Sequence, residues 1–374
     1  MYRIIPLPNY SIFFSGLAGI AAWLAARSYT RVAVLVDGNT RRDCWPLLEP
    51  FLKDPLLIEI PAGEAHKNLE TCQYIWSQML EGGLDRRSVL LNLGGGVVGD
   101  MGGFCASTYM RGIDFVQIPT TLLAQVDASI GGKLGVDFQH YKNMVGLFAD
   151  PQAVFIHLPF LQTLPARELR SGYAEVIKHS LIGDAGLWEK LQSHPDPATV
   201  NWEEILPRAL LVKKKIVEAD PLEKGLREVL NFGHTVGHAI ETWALSQGLD
   251  VLHGEAVAAG MIAEVRLSHQ QAGLPQKEMQ QVVAFLEKGF PSIPIGPEID
   301  LWAIMRKDKK NRGGQIRMAL LEAVGRAKAI EVKPGAGLGL FIPPPSPPSL
   351  PPSSLPPSST NPSPSKTKTT SPLS

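Results

Sequence analysis

The 374-residue chain has no excess of either charge: 36 Lys and Arg balance 36 Asp and Glu, for a formal net charge of zero. That excludes a broad electrostatic attraction to nucleic acid or an anionic membrane, so basic residues that matter must be local and inward-pointing. Cysteine is scarce. Cys44, Cys72 and Cys105 are odd in number and far apart, which fits neither a disulfide framework nor a CxxC metal site and reads as three reduced thiols of a cytosolic compartment. The longest apolar candidate near the start, residues 11–26 (SIFFSGLAGIAAWLAA), is too short to span a bilayer. With Pro6, Pro8 and Asn9 ahead of it, it reads as a strand and glycine turn leading into a buried helix rather than a signal peptide. The GxGxxG dinucleotide fingerprint is absent, and the one pair of histidines four apart lacks the glutamate of an HExxH zinc motif.

Length argues for two domains. The first 150 residues alternate short apolar runs, at 31–36, 56–60, 88–93 and 115–118, with stretches of helical spacing such as 69–80. Repeated strand and helix imply a parallel sheet covered by helices on both faces. Beyond residue 164, helical patterns dominate, at 166–181, 203–219, 235–245, 254–272 and 276–288, with Pro165, Pro207, Pro221 and Pro275 near their boundaries. The expected architecture is therefore an α/β, Rossmann-like N-terminal domain over residues 1–160 and a mostly α-helical C-terminal domain over 161–340. A tail at 341–374 holds 12 of the 31 prolines among Ser and Thr and reads as disordered, with a ligand for a proline-binding module as the alternative.

LNLGGGVVGD follows a buried strand candidate and precedes a stretch that can begin a helix. Consecutive glycines admit a diphosphate to backbone N–H groups, and a helix N-terminus adds favourable dipole charge. Packing alone also produces such turns. Asp37 and Asn39 end an earlier strand, where an acid can grip ribose hydroxyls. Gly63-Glu64 with Lys67, and Thr120-Thr121, fall at the same expected sheet edge.

DASIGGKLGVDFQHYKN sets Lys133, Lys142 and Asn143 among glycines, suited to phosphate or carboxylate capture unless the lysines are merely solvated. NFGHTVGHAIE spaces His234 and His238 four apart, VLHGEAVAAGM carries His253 and Glu255, and SGYAEVIKHS sets Glu175 and Lys178 on one helical face with His179 beside them. Polar groups inside apolar helices are costly unless paired or bound. Two imidazoles and one carboxylate, Glu175, His234 and His253, make a three-ligand zinc site with coordination left open for substrate. Lys213–Lys215 alone read as a solvated helix face. Arg227, Asn231, His234 and His238 approximate one i, i+4, i+7, i+11 stripe. Residues 307–310 with Asn311 form a loop-like basic cluster.

Taken in order, GGGVVGD, PTTLLAQVDASIGGK, KNMVG, AEVIKH, LNFGHTVGH and HGEAVAAGM resemble the 3-dehydroquinate synthases, NAD-dependent cyclases of the sugar phosphate cyclase superfamily in the shikimate pathway. The resemblance runs from about residue 10 to residue 330. It implies an NAD-binding α/β domain, a helical metal-binding domain, a homodimer, and zinc (or Co2+) on Glu175, His234 and His253. It implies substrate contacts from Asp127, Lys133, Asn143, Lys178, Lys213, Arg227, Asn231, His238 and either Lys309 or Lys310. Arg111 would reach the neighbouring subunit's substrate phosphate, and Glu223 with His238 would handle protons. NAD contacts would fall on Asp37, Asn39, Gly63, Glu64, Lys67, Gly95, Gly96, Val97, Val98, Gly99, Asp100, Thr120, Thr121, Lys133, Lys142, Phe160 and Thr163. The implied reaction converts 3-deoxy-arabino-heptulosonate 7-phosphate to 3-dehydroquinate and phosphate through transient oxidation, elimination, re-reduction and aldol closure. The sequence departs from the family at Pro221, at Leu134-Gly135, and in the Pro/Ser tail. Related cyclases making valiolone or inosose skeletons, metal-dependent alcohol dehydrogenases, and a scaffolding homologue are the rival readings. Arg227, Asn231 and the Lys309 cluster side with a dehydroquinate synthase among the cyclases, and Lys133, Lys142 and Arg227 argue for an anionic substrate against a dehydrogenase.

Overall fold

The computed structural model describes residues 3–139, 141–296, 299–306 and 316–332. Its centre is a seven-stranded sheet in the order β1-β2-β9-β6-β5-β3-β4. These strands are β1 (Arg3–Pro6), β2 (Ser11–Phe14), β3 (Val32–Asp37), β4 (Leu56–Ile60), β5 (Val89–Gly94), β6 (Asp114–Pro119) and β9 (Ala153–Ile156). Only the β1–β2 pair is antiparallel; the five remaining pairings are parallel. Every residue of β5 is buried, as a strand covered on both faces requires. Alternation does the sorting in β3: Ala33 and Leu35 enter one core cluster, Val34 and Val36 the opposite one.

Five helices belong to this half: α1 (Ala18–Ala25), α2 (Gly38–Asp43), α3 (Trp45–Leu48), α4 (Leu69–Glu81) and α5 (Gly96–Thr108). The chain leaves β3 for β4 on one side, then returns to place β5 on the other. Strand order thus reverses between β3 and β5, and the crevice beyond their carboxyl ends is where open α/β sheets bind ligands. A hairpin of β7 (Lys133–Phe138) and β8 (Tyr141–Phe148) packs against α5.

The later half holds α6 (Ala166–Gly183), α7 (Ala185–Leu191), α8 (Trp202–Ala219), α9 (His234–Ser246), α10 (His253–Gln271), α11 (Gln276–Gly289) and α12 (Leu301–Arg306). It also contains an antiparallel pair absent from the sequence reading, β10 (Ile316–Ala323) with β11 (Arg326–Val332). The helices that carry the polar motifs approach closely because small residues line the contacts. A Cβ on Gly260 would fall 2.0 Å from the Gly233 carbonyl oxygen, and one on Gly254 2.0 Å from that of Ser171.

Several expectations need correcting. Pro207 lies inside α8 rather than at its boundary, in the N-terminal part of the helix. The first helix buries only Ile20. Arg227, Asn231, His234 and His238 do not share one helical stripe: Leu226–Asn231 is a 3-10 turn, and Gly233 at φ 80° separates it from α9. Lys133 and Lys142 stand on strands of a hairpin, not on glycine turns. All three cysteines are buried and free. Among the described residues, no helix is long and apolar enough to cross a membrane. The Lys309-Lys310 pair, Asn311 and the tail at 341–374 lie outside the described residues.

Candidate active site

The glycine loop closes β5 and opens α5, as the sequence pattern predicts, with the helix starting at Gly96. Gly95 at its N-cap supplies no side-chain hydrogen bond, so the first N–H groups of α5 face the crevice with the dipole behind them. A Cβ on Gly95 would come 3.1 Å from Thr121 Cγ2, so the absence of a side chain keeps the approach open. Val98 is buried beneath the loop, while Val97 and Gly99 are half-buried. Asp37 ends β3, but one carboxylate oxygen caps α2, accepting from the Thr40 N–H at 2.8 Å and its hydroxyl at 2.9 Å. Asn39 is exposed inside α2, and Gly63 (φ 107°) and Glu64 are exposed in the next turn.

Lys67 is buried and donates to Asp100 Oδ2 and Asn143 Oδ1, both at 2.6 Å. It thereby ties α5 to the hairpin. Burial alone would raise the Asp100 carboxyl, and Lys67 opposes it. Thr120 is buried and Thr121 Oγ1 accepts from the Ala124 N–H. Phe160 sits in the core, 1% exposed, edge-on to His157, and Thr163 is exposed with its hydroxyl on the Phe160 carbonyl.

Ala124–Ala128 forms a π-helical turn, a form frequent at functional sites. It aims Asp127 at the helical half, where Lys213 donates to its carboxylate at 2.7 Å. Lys178 Nζ and His179 Nε2 lie 3.8 and 3.4 Å from the same oxygen. Burial disfavours the Asp127 anion, but Lys213 and Lys178 outweigh it and hold the carboxyl well below the usual range. Lys213 is 4% exposed, which overturns its reading as a solvated face; burial brings its ammonium down to about 8 against the pull of Asp127.

Glu175 is completely buried on α6. The ammonium of Lys178 contacts it, and His234 Nε2 and His253 Nε2 stand 3.3 and 3.6 Å from its Oε1. Neither carboxylate oxygen accepts a well-formed hydrogen bond from the described residues. One ligand atom from each of Glu175, His234 and His253 falls within 4.8 Å of the others. A buried carboxylate lacking hydrogen bonds and facing two imidazole nitrogens suits a divalent cation of the zinc class. Burial disfavours the His253 imidazolium, yet the carboxylates of Glu175 and Glu241 on either side of the ring raise it to about 10.

Around this centre, Lys133 pairs with Glu223 at 2.5 Å, and Asn231 reaches the other Glu223 oxygen at 3.4 Å. Arg227 is buried, donating to the carbonyls of Pro221 (2.7 Å) and Gly131 (3.0 Å). Gly131 needs its glycine: at φ 99° a Cβ would meet the Arg227 guanidinium at 2.4 Å. His238 is half-exposed, its ring 5.4 Å from that of His234. Asp220 accepts three backbone N–H bonds, from Lys224, Gly225 and Arg227, so Pro221 after it costs the turn no needed donor. Arg111 is exposed at φ 71°, away from these contacts.

Sequence reasoning missed two carboxylates. Glu264 is fully buried and accepts from the N–H groups of Gly233 (2.6 Å) and Val236 (3.1 Å), fixing the start of α9. Glu241 faces His253 Nδ1 at 3.4 Å. Glu255, noted only as a neighbour of His253, accepts from Arg167 at 2.7 and 2.8 Å and clamps α6 to the start of α10. The rule that exposed Glu175, an acid inside an apolar helix, applies equally to Glu264.

Comparison with known proteins places the chain among relatives. Residues 57–171 match the family described as 3-dehydroquinate synthase N-terminal, and 172–311 its C-terminal counterpart. The 3-dehydroquinate synthase of Parabacteroides distasonis is 42% identical over 311 residues, covering 81% of this chain and 88% of that one. The Enterococcus faecalis enzyme of the same name is 41% identical over 346 residues, covering 89% and 96%. Among solved structures, the 2-epi-5-epi-valiolone synthase of Streptomyces hygroscopicus, with NAD+ and Zn2+ bound, superposes with a TM-score of 0.78 at 29% identity, covering 88% and 95%.

Proposed function

The chain belongs to the 3-dehydroquinate synthase family, and from that premise we propose that it converts 3-deoxy-arabino-heptulosonate 7-phosphate to 3-dehydroquinate and phosphate with NAD and a divalent metal. The observation that carries the reading is the junction of three parts. An uncapped glycine loop stands at the strand-order reversal, and the π-turn of Asp127 packs against the helix that the loop opens. Asp127 holds buried Lys213 and Lys178, the latter in contact with the Glu175 of a Glu–His–His cluster.

Glu175, His234 and His253 would hold the metal, zinc or cobalt, and the glycine loop with Lys67, Asp100, Thr120, Thr121 and Lys142 the NAD. When bound, the cation polarises a substrate hydroxyl, and the nicotinamide accepts a hydride that it returns within the turnover. The chain's own residues supply the rest. Lys178 and Lys213, held by Asp127, give a desolvated pair of cations to an anionic substrate. Arg227 is kept in place by two carbonyls. Glu223, between Lys133 and Asn231, can take a proton from a carbon made acidic by an adjacent ketone. His238, half-exposed beside the centre, carries an imidazole that can pass protons to and from oxygen.

The division at 1–160 and 161–340 and a cytoplasmic homodimer complete the proposal. Exposure of Arg111 and Met110 on a strained turn supports a role for Arg111 in a neighbouring subunit's site. The valiolone-type activity of the solved neighbour is the second reading. A substrate comparison separates the two: phosphate release is expected from the heptulosonate acid and not from the corresponding seven-carbon sugar phosphate lacking the carboxylate. The reverse preference would overturn the synthase assignment.

A further inference from the structure

The two imidazoles that face Glu175 are held differently. His234 turns Nε2 to Glu175 (3.3 Å) and Nδ1 to the Phe232 carbonyl oxygen (3.1 Å). His253 turns Nε2 to Glu175 (3.6 Å) and Nδ1 to Glu241 Oε1 (3.4 Å). A histidine that ligates a metal through one nitrogen commonly donates its other N–H to a carbonyl or carboxylate, which fixes the tautomer and the ring plane.

Glu241 is seven residues beyond His234 on α9, two turns along the same face, so the helix that supplies one ligand also reaches the other. Its side chain is 11% exposed and its second oxygen lies 4.0 Å from His238 Nε2. Lys142, on β8, approaches the same Oε1 at 3.3 Å, but its side chain is 51% exposed, and an ion pair that open to solvent contributes little. Burying a carboxylate so deeply for that lysine alone would be unfavourable.

We propose that Glu241 is a positioning residue for the metal centre: by accepting from His253 Nδ1–H it holds Nε2 toward the position shared with Glu175 and His234. The inference rests on the reading of those three residues as metal ligands. It also distinguishes Glu241 from a direct ligand, although His238, Glu241 and His253 themselves offer ligand atoms within 4.8 Å of one another. A glutamine keeps a carbonyl acceptor in place but is a poor replacement for a ligating carboxylate.

Zinc dissociation constants by chelator competition, cobalt absorption spectra and metal-free melting temperatures, measured on wild type, Glu175→Ala, Glu241→Ala, Glu241→Gln and Glu241→Asp, test this. Glu241→Ala should weaken zinc binding by about 10–100-fold and alter the cobalt spectrum, with the metal-free melting temperature little changed. Glu241→Gln should return to within about threefold of wild type. Glu241→Asp, which draws the acceptor back, should be weakened as well and serves if the alanine variant does not fold. Zinc affinity of Glu241→Ala within about twofold of wild type overturns the inference, as does Glu241→Gln losing metal as completely as Glu175→Ala. A wild-type protein without zinc affinity would instead overturn the metal centre itself, and the inference with it.

Discussion

Lys213 binds Asp127 twice, donating at 2.7 Å to the carboxylate and at 2.6 Å to the residue's own backbone carbonyl, across 86 residues of chain. A helix of the later half thus grips the π-turn that follows β6, and the two charges are sequestered together.

That relationship predicts opposite pH trends for activity and stability. Burial lowers the Lys213 ammonium to about 8, so kcat/KM for an anionic substrate should fall as pH rises through that value. In the unfolded chain the same lysine stays protonated to about 10.4. Between the two values the unfolded state holds more protons, and this group makes stability rise with pH. Lys213→Arg should move the alkaline limb of kcat/KM upward. An unmoved limb would remove Lys213 from the account.

Metal binding should release protons. Without metal, the His253 imidazolium persists to about 10, and an imidazole ligand must be neutral. Zinc affinity should therefore rise with pH across the neutral range, with close to one proton released from His253 near pH 7. Calorimetry in buffers of different ionisation enthalpy reads this directly, and no buffer dependence would count against His253 as a ligand. For the metal-free fold the sign reverses. The raised imidazolium contributes stability that is full below about 6.5 and lost as pH climbs toward 10.

Glu264→Ala should destabilise the protein by about 2–4 kcal/mol, because two buried N–H groups at the start of α9 lose a charged acceptor. Since His234 begins that helix, zinc affinity should drop together with the melting temperature. Glu264→Gln should recover part of both. Chemical unfolding with zinc titration checks it, and an alanine variant as stable as wild type would contradict it.

On the cofactor side, Lys67→Met leaves the half-buried Asp100 without this cation and removes the Lys67 bond to Asn143. NAD affinity, followed by fluorescence quenching, should fall about tenfold, with a stability loss of about 2–4 kcal/mol. Unchanged NAD binding would show that the pair merely braces the hairpin.

Much of this arrangement was legible because the chemistry sits where local sequence rules apply. Gly94–Gly96 follow a largely apolar run, Glu175 stands out as an acid inside an apolar helix, and His234 and His253 open two further apolar helices. What escaped depended on the third dimension. The stripe from Arg227 to His238 failed because periodicity cannot register the φ 80° break at Gly233. Lys213 looked solvated among its lysine neighbours, since nothing local announces that Asp127 arrives from 86 residues away. The hairpin carrying Lys133 and Lys142 has glycines that suggest turns, whereas Gly135 and Gly146 permit close strand pairing. Glu241 closes the same motif as His234 and His238, but its role appears only once α10 brings His253 beside it.

The most direct measurement is the ratio of phosphate released to NADH accumulated when the zinc-loaded protein meets 3-deoxy-arabino-heptulosonate 7-phosphate with NAD far below substrate. The account predicts many equivalents of phosphate per NAD and no net NADH. NADH accumulating one for one with substrate consumed, or no phosphate at all, would contradict it.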